Sequence, residues 1–69
     1  MIKRSVTLKG HRTSVALEPE FWAVLDEEAA RRGGLPFARL VTEIDLARGD
    51  QPLASALRVT ALKLASGTS

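Results

Sequence analysis

Residues 12–17, Arg-Thr-Ser-Val-Ala-Leu, alternate with a period of two. Thr13, Val15 and Leu17 fall on one side, and Arg12, Ser14 and Ala16 on the other, which predicts a half-buried strand over 12–17. Ser5 to Lys9 also alternates, but its apolar positions, Val6 and Leu8, are even-numbered, whereas Val15 and Leu17 are odd. The phase breaks at Gly10-His11. Either a hairpin closes there with Gly10-His11 as its two-residue loop, or residues 1–11 form a separate arm. The arm is the expected arrangement.

Three helical patterns follow. Over 19–32, Pro19 stands where a helix tolerates proline, Glu20 suits the positive end of the dipole, and Phe21, Trp22, Leu25 and Ala29 make an apolar stripe. Arg31-Arg32 fit the last turn and Gly33-Gly34 end it. The second helix, 36–48, carries Phe37, Leu40, Val41, Ile44 and Ala47 inward and stops at Gly49. The third, 53–65, has a seam of Leu53, Leu57, Thr60 and Leu64, while Val59 and Leu62 form a smaller apolar face on nearly the opposite side. Residues 67–69 are expected to fray.

At 69 residues the chain is one domain, 1–69. With 45% hydrophobic and 26% charged residues it is globular, yet its own core is small and has no cysteine to brace it. Sharing that core with a second copy resolves the tension, so a homodimer is expected, with Val15, Leu17, Trp22, Leu40 and Ile44 in the shared core. The stretch from Leu53 to Ala65 is too short and too charged for a membrane span. With neither an apolar leader nor a cysteine, the expected location is the cytoplasm.

The net charge of +2 conceals its distribution. Residues 1–17 hold Lys3, Arg4, Lys9 and Arg12 with no acid, whereas all eight acids lie between Glu18 and Asp50. A basic end on an acidic body predicts contact with a polyanion. Catalysis is not expected: one histidine, no cysteine, no tyrosine and no phosphate-binding glycine motif leave His11 without partners as a base or ligand. No metal and no cofactor are expected.

A lone amphipathic strand needs a pairing partner. The same strand of a second copy, antiparallel about a two-fold axis, supplies one. Arg12, Ser14 and Ala16 of both copies then face outward on a two-stranded ribbon that fits the major groove of double-stranded DNA, about 12 Å wide. A hairpin of residues 4–9 with 12–17 would instead give a four-stranded sheet ~14 Å wide, at about 4.8 Å per strand. That is too broad to enter the groove fully, and the DNA reading would suffer; hence the arm.

The order strand, helix, helix resembles the ribbon-helix-helix (Arc/MetJ-type) DNA-binding family. The run from Gly10 through Arg12-Thr13-Ser14 to Phe21-Trp22 resembles one bacterial branch of it, as do Leu40 to Asp45 and Ser55 to Val59. The resemblance covers about residues 3 to 65. It implies a mainly α fold with one β-strand, an intertwined homodimer able to form higher oligomers on DNA, and a transcription repressor. Carried over by position, the base-contacting residues are Arg12, Ser14 and Ala16. The phosphate clamp at the second helix's N-terminus matches Pro36, Phe37 and Ala38, of which Phe37 and Ala38 must supply the donors. The acid-free basic end separately makes Lys3, Arg4 and Lys9, with His11, the expected phosphate contacts. Two departures stand out. Pro36 offers neither a capping side chain nor an N–H, and Ala16 can touch a thymine methyl but cannot hydrogen-bond. The third helix exceeds the minimal fold. An alternative function is a protein-binding adaptor or antitoxin-like partner that uses this helix.

Overall fold

A computed structural model of the chain describes residues 1–67; Thr68 and Ser69, expected to fray, lie outside the described residues. The elements run β1 (Ile2–Leu8), β2 (His11–Leu17), α1 (Pro19–Arg31), α2 (Phe37–Ala47) and α3 (Leu53–Ala65). The two strands form an antiparallel sheet, with β1 over α2 and β2 over α3.

The N-terminus is thus a strand, where an arm was expected. Its loop is Lys9-Gly10, one residue earlier than Gly10-His11, with both residues in the left-handed region at φ 50° and 80°. Two successive positive φ values give a turn whose twist matches that of the strands it joins. Pairing runs from Leu8↔His11 to Ile2↔Leu17, so paired residue numbers always sum to an odd value. Even positions of β1 therefore share a face with odd positions of β2. The phase break in the sequence is the mark of this loop. Val6, opposite Thr13, joins the buried side together with Val15 and Leu17.

Below the sheet, Leu17, Trp22, Leu25, Leu40, Val41 and Leu57 are almost completely enclosed. Val15, Leu17, Trp22, Leu40 and Ile44, expected in a core shared by two copies, are all buried within one chain. The extra strand explains this, because Val6 and the half-buried Leu8 close a side that an arm would have left open. On α3 the buried centre is Ala56, Leu57 and Ala61, where the two alanines admit α1 closely and Leu57 fills the core. Leu53, Thr60 and Leu64 of the expected seam are half-buried, and Val59 and Leu62 are exposed.

Helix ends follow local chemistry. Proline opens α1 after Glu18, and Gly33 and Gly34, both at φ 79°, turn the chain so that the Leu35 N–H reaches the Ala29 carbonyl at 3.0 Å. The helices α2 and α3 begin after Pro36 and Pro52, with no side-chain cap on either.

Candidate nucleic-acid interface

The register sorts the hairpin into two rows per face. Cross-strand neighbours project to the same side, so Lys3 with Ala16, Ser5 with Ser14 and Thr7 with Arg12 form the outer face. All six positions are exposed except Ala16, which is half-buried. Arg12, Ser14 and Ala16 thus stand together as anticipated, and β1 adds a second row that the sequence reading had not assigned to this face. Among the described residues, the side chains of Lys3, Ser5, Thr7, Arg12 and Ser14 make no hydrogen bond or ion pair. Five of the seven arginines are ion-paired in the described structure; Arg12 and Arg39 are the exceptions. An exposed guanidinium with five unused donors, on an acid-free strand pair, is poised for an external anion. Lys9 lies in the turn at the hairpin tip, and His11, paired with Leu8, falls in the inner-face row, away from Arg12 and Ser14; both are exposed.

Arg4 is placed differently. It lies on the inner face opposite Val15, and its Nη1 and Nη2 donate to the two carboxylate oxygens of Asp26, each at 2.9 Å. Its guanidinium also sits 4.8 Å from the Trp22 ring centroid and 5.3 Å from that of Phe37. A planar cation can bind a carboxylate edge-on and cover aromatic faces at once, which lysine cannot. This hydrogen-bonded pairing raises the Arg4 pKa and holds the Asp26 carboxyl below its ordinary value. The expected phosphate contact at Arg4 is thus replaced by an internal clamp. A second tie lies beside it, where Trp22 Nε1 donates to the Ile2 carbonyl at 2.7 Å.

At the start of α2, Arg39 and Leu40 N–H groups turn back to the Pro36 carbonyl, at 2.9 and 3.3 Å. The preceding two, on Phe37 and Ala38, make no hydrogen bond among the described residues. They are therefore the available donors at this positive helix end. The Phe37 ring packs against Trp22 with centroids 5.8 Å apart.

Sequence reading missed Glu28, a carboxylate buried on α1. It accepts from Arg31 and, at 2.8 Å, from Arg32, which also bonds Glu43 at 2.6 Å. These bonds lower the Glu28 pKa, and the arginines three and four residues ahead were the available signal. A depressed folded-state pKa gives stability that is present above the unfolded value, about 4, and is lost as pH falls through the folded one. The urea midpoint should therefore stay level from pH 7 to about 5 and drop on further acidification. Asp26→Asn and Glu28→Gln should each flatten that drop. An equally steep fall in both variants would show that other carboxylates govern acid unfolding.

No helix among the described residues is long and apolar enough to cross a membrane. Neither the curated proteins nor the solved structures contain a significant match to this chain. A family model described as the ribbon-helix-helix domain matches residues 1–65, which takes in the hairpin and all three helices. The chain therefore belongs to the ribbon-helix-helix domain family, whose members are in general DNA-binding transcription regulators.

Proposed function

We propose that this protein is a homodimeric, sequence-specific DNA-binding regulator, most simply a repressor, working in the bacterial cytoplasm as a binding module and not an enzyme. The carrying observation is the outer face of the hairpin, where unpaired Arg12 and Ser14 stand beside Ala16, with no acid between residues 1 and 17. Family membership supports duplex DNA as the ligand. Pairing of β2 with β1 leaves the other edge of β2 open, and an edge strand invites a second strand. Antiparallel pairing of two β2 edges about a two-fold axis gives the order β1-β2-β2-β1. The groove-reading residues then lie on the two central strands.

Titration against a pool of genomic duplexes over a range of salt tests this reading, and sedimentation tests the dimer. Deleting residues 1–9 would remove a strand of the fold, so charge is better altered by Lys3→Gln with Lys9→Gln. If both lysines of both copies neutralise phosphates, the slope of log K against log salt should flatten by about 3.6 units, at ~0.9 per phosphate. An unchanged slope removes the lysines from the interface. A folded monomer at micromolar concentration, or no duplex binding at any salt, overturns the proposal.

A second reading rests on α3. Val59 and Leu62 are 39% and 64% exposed, and Val59 borders a groove of about 320 Å³ floored by Leu40, Ile44 and Ala56. An adaptor or antitoxin-like protein would use this surface, and Leu62→Glu would abolish partner capture while sparing DNA binding.

A further inference from the structure

The hairpin changes the width of the surface offered to DNA, and with it the role of β1. With strands about 4.8 Å apart, a β1-β2-β2-β1 sheet places each β2 roughly 2.4 Å from the dyad and each β1 roughly 7 Å from it. The major groove is about 12 Å across, so its walls stand near 6 Å from the same axis. The central strands therefore lie over the groove floor, and each outer strand lies over a wall, where the phosphates are.

The outer row of β1 is Lys3, Ser5 and Thr7, all exposed, with no hydrogen bond or ion pair among the described residues. One ammonium and two hydroxyls, with no ion pair to a carboxylate among the described residues, match anionic oxygens and lack the planar forks that read base edges. Inward, the same strand is fixed by the buried Val6, by the Arg4–Asp26 pair and by the Trp22–Ile2 hydrogen bond. Its outer row is held rigid before any ligand arrives.

We propose that β1 is a phosphate rail, in which Ser5 and Thr7 donate hydrogen bonds to the DNA backbone along the rims of the major groove while Arg12 and Ser14 read bases between them. This rests on the proposed duplex-binding dimer. A sheet too broad to sink into the groove is seated on its edges, and the depth to which the central side chains reach is set by the rail.

The test uses the full chain and a pool of random duplexes, comparing Ser5→Ala/Thr7→Val with Arg12→Ala and with the hydroxyl-retaining pair Ser5→Thr/Thr7→Ser. Removing four hydroxyls per dimer should weaken binding to every duplex at least about tenfold, with the selected consensus unchanged. The salt slope should also hold, because no charge is lost. The hydroxyl-retaining pair should bind like the parent, and both pairs alter exposed positions, so thermal unfolding should confirm intact folds. Parent-like binding by Ser5→Ala/Thr7→Val overturns the rail, as does a shift in its consensus, which would put β1 inside the groove. If the parent protein binds no duplex, the failure lies with the DNA-binding reading itself.

Discussion

Trp22→Ala should cost about 3–5 kcal/mol of folding stability, the range for truncating a large buried aromatic. A chain of this length holds roughly 3–10 kcal/mol in total, so the substitution removes from about a third of the stability to all of it. The side chain is 1% exposed, and it is a junction between layers. Its ring packs on Phe37, carries the Arg4 guanidinium on its surface, and ties down the Ile2 carbonyl through its N–H. Trp22→Phe separates these roles. It keeps most of the apolar volume but loses the hydrogen bond, so a cost of about 1–2 kcal/mol is expected, with faster amide exchange concentrated in β1. Circular dichroism with urea measures both variants, since the sequence has one tryptophan and its fluorescence is lost with it. If Trp22→Ala unfolds with the parent's midpoint, the indole does not hold the layers together.

The second large effect belongs to recognition. Arg12→Ala should weaken specific DNA binding by about 1–3 kcal/mol per base contact, hence ~2–6 kcal/mol for a dimer that uses both copies. A guanidinium at this position can make two bonds to O6 and N7 of one guanine. Two-fold symmetry then demands two guanines related by a pseudo-palindrome. Arg12→Lys retains the charge without the planar fork, so affinity should recover further than discrimination. Selection from random duplexes measures both variants. Uniform weakening with an intact consensus would reassign Arg12 to phosphate.

These predictions draw on positions that differ in how openly the sequence displays them. The mainly helical class and the ribbon face were legible because each has a strong local signature. Pro19 and Gly33-Gly34 bracket α1, apolar residues at helical spacing mark α2, and strict alternation puts Arg12, Ser14 and Ala16 on one side. The strand β1 was obscured for two physical reasons. Lys9 occupies a left-handed position usually given to Asn, Asp or Gly, so the turn lacks its ordinary composition. Arg4 puts a cation into the apolar row of β1, which read as part of a basic arm. Only tertiary structure, with Asp26 and two aromatic rings around the guanidinium, turns that row toward the core. The burial of Glu28 was hidden in the same way, since an acid in phase with the core looks like an interruption until its arginines are seen to cover it.

The register has a further consequence, in the order in which the molecule can assemble. The widest strand pair, Ile2 with Leu17, is closed by the intervening residues alone, so the entire sheet is encoded ahead of the first helix. Hairpins form in about 1–10 μs, whereas synthesis adds roughly 5–20 residues per second, so the strands can pair many times over while the rest of the chain is still being made. A two-stranded hairpin on its own is marginal, and it persists only once α1 brings Trp22 and Asp26 against it. Docking of α3, the most distant in sequence, then completes the core around a surface whose rows are already aligned. The helices fix the lifetime of the outer face, and the first seventeen residues fix its pattern.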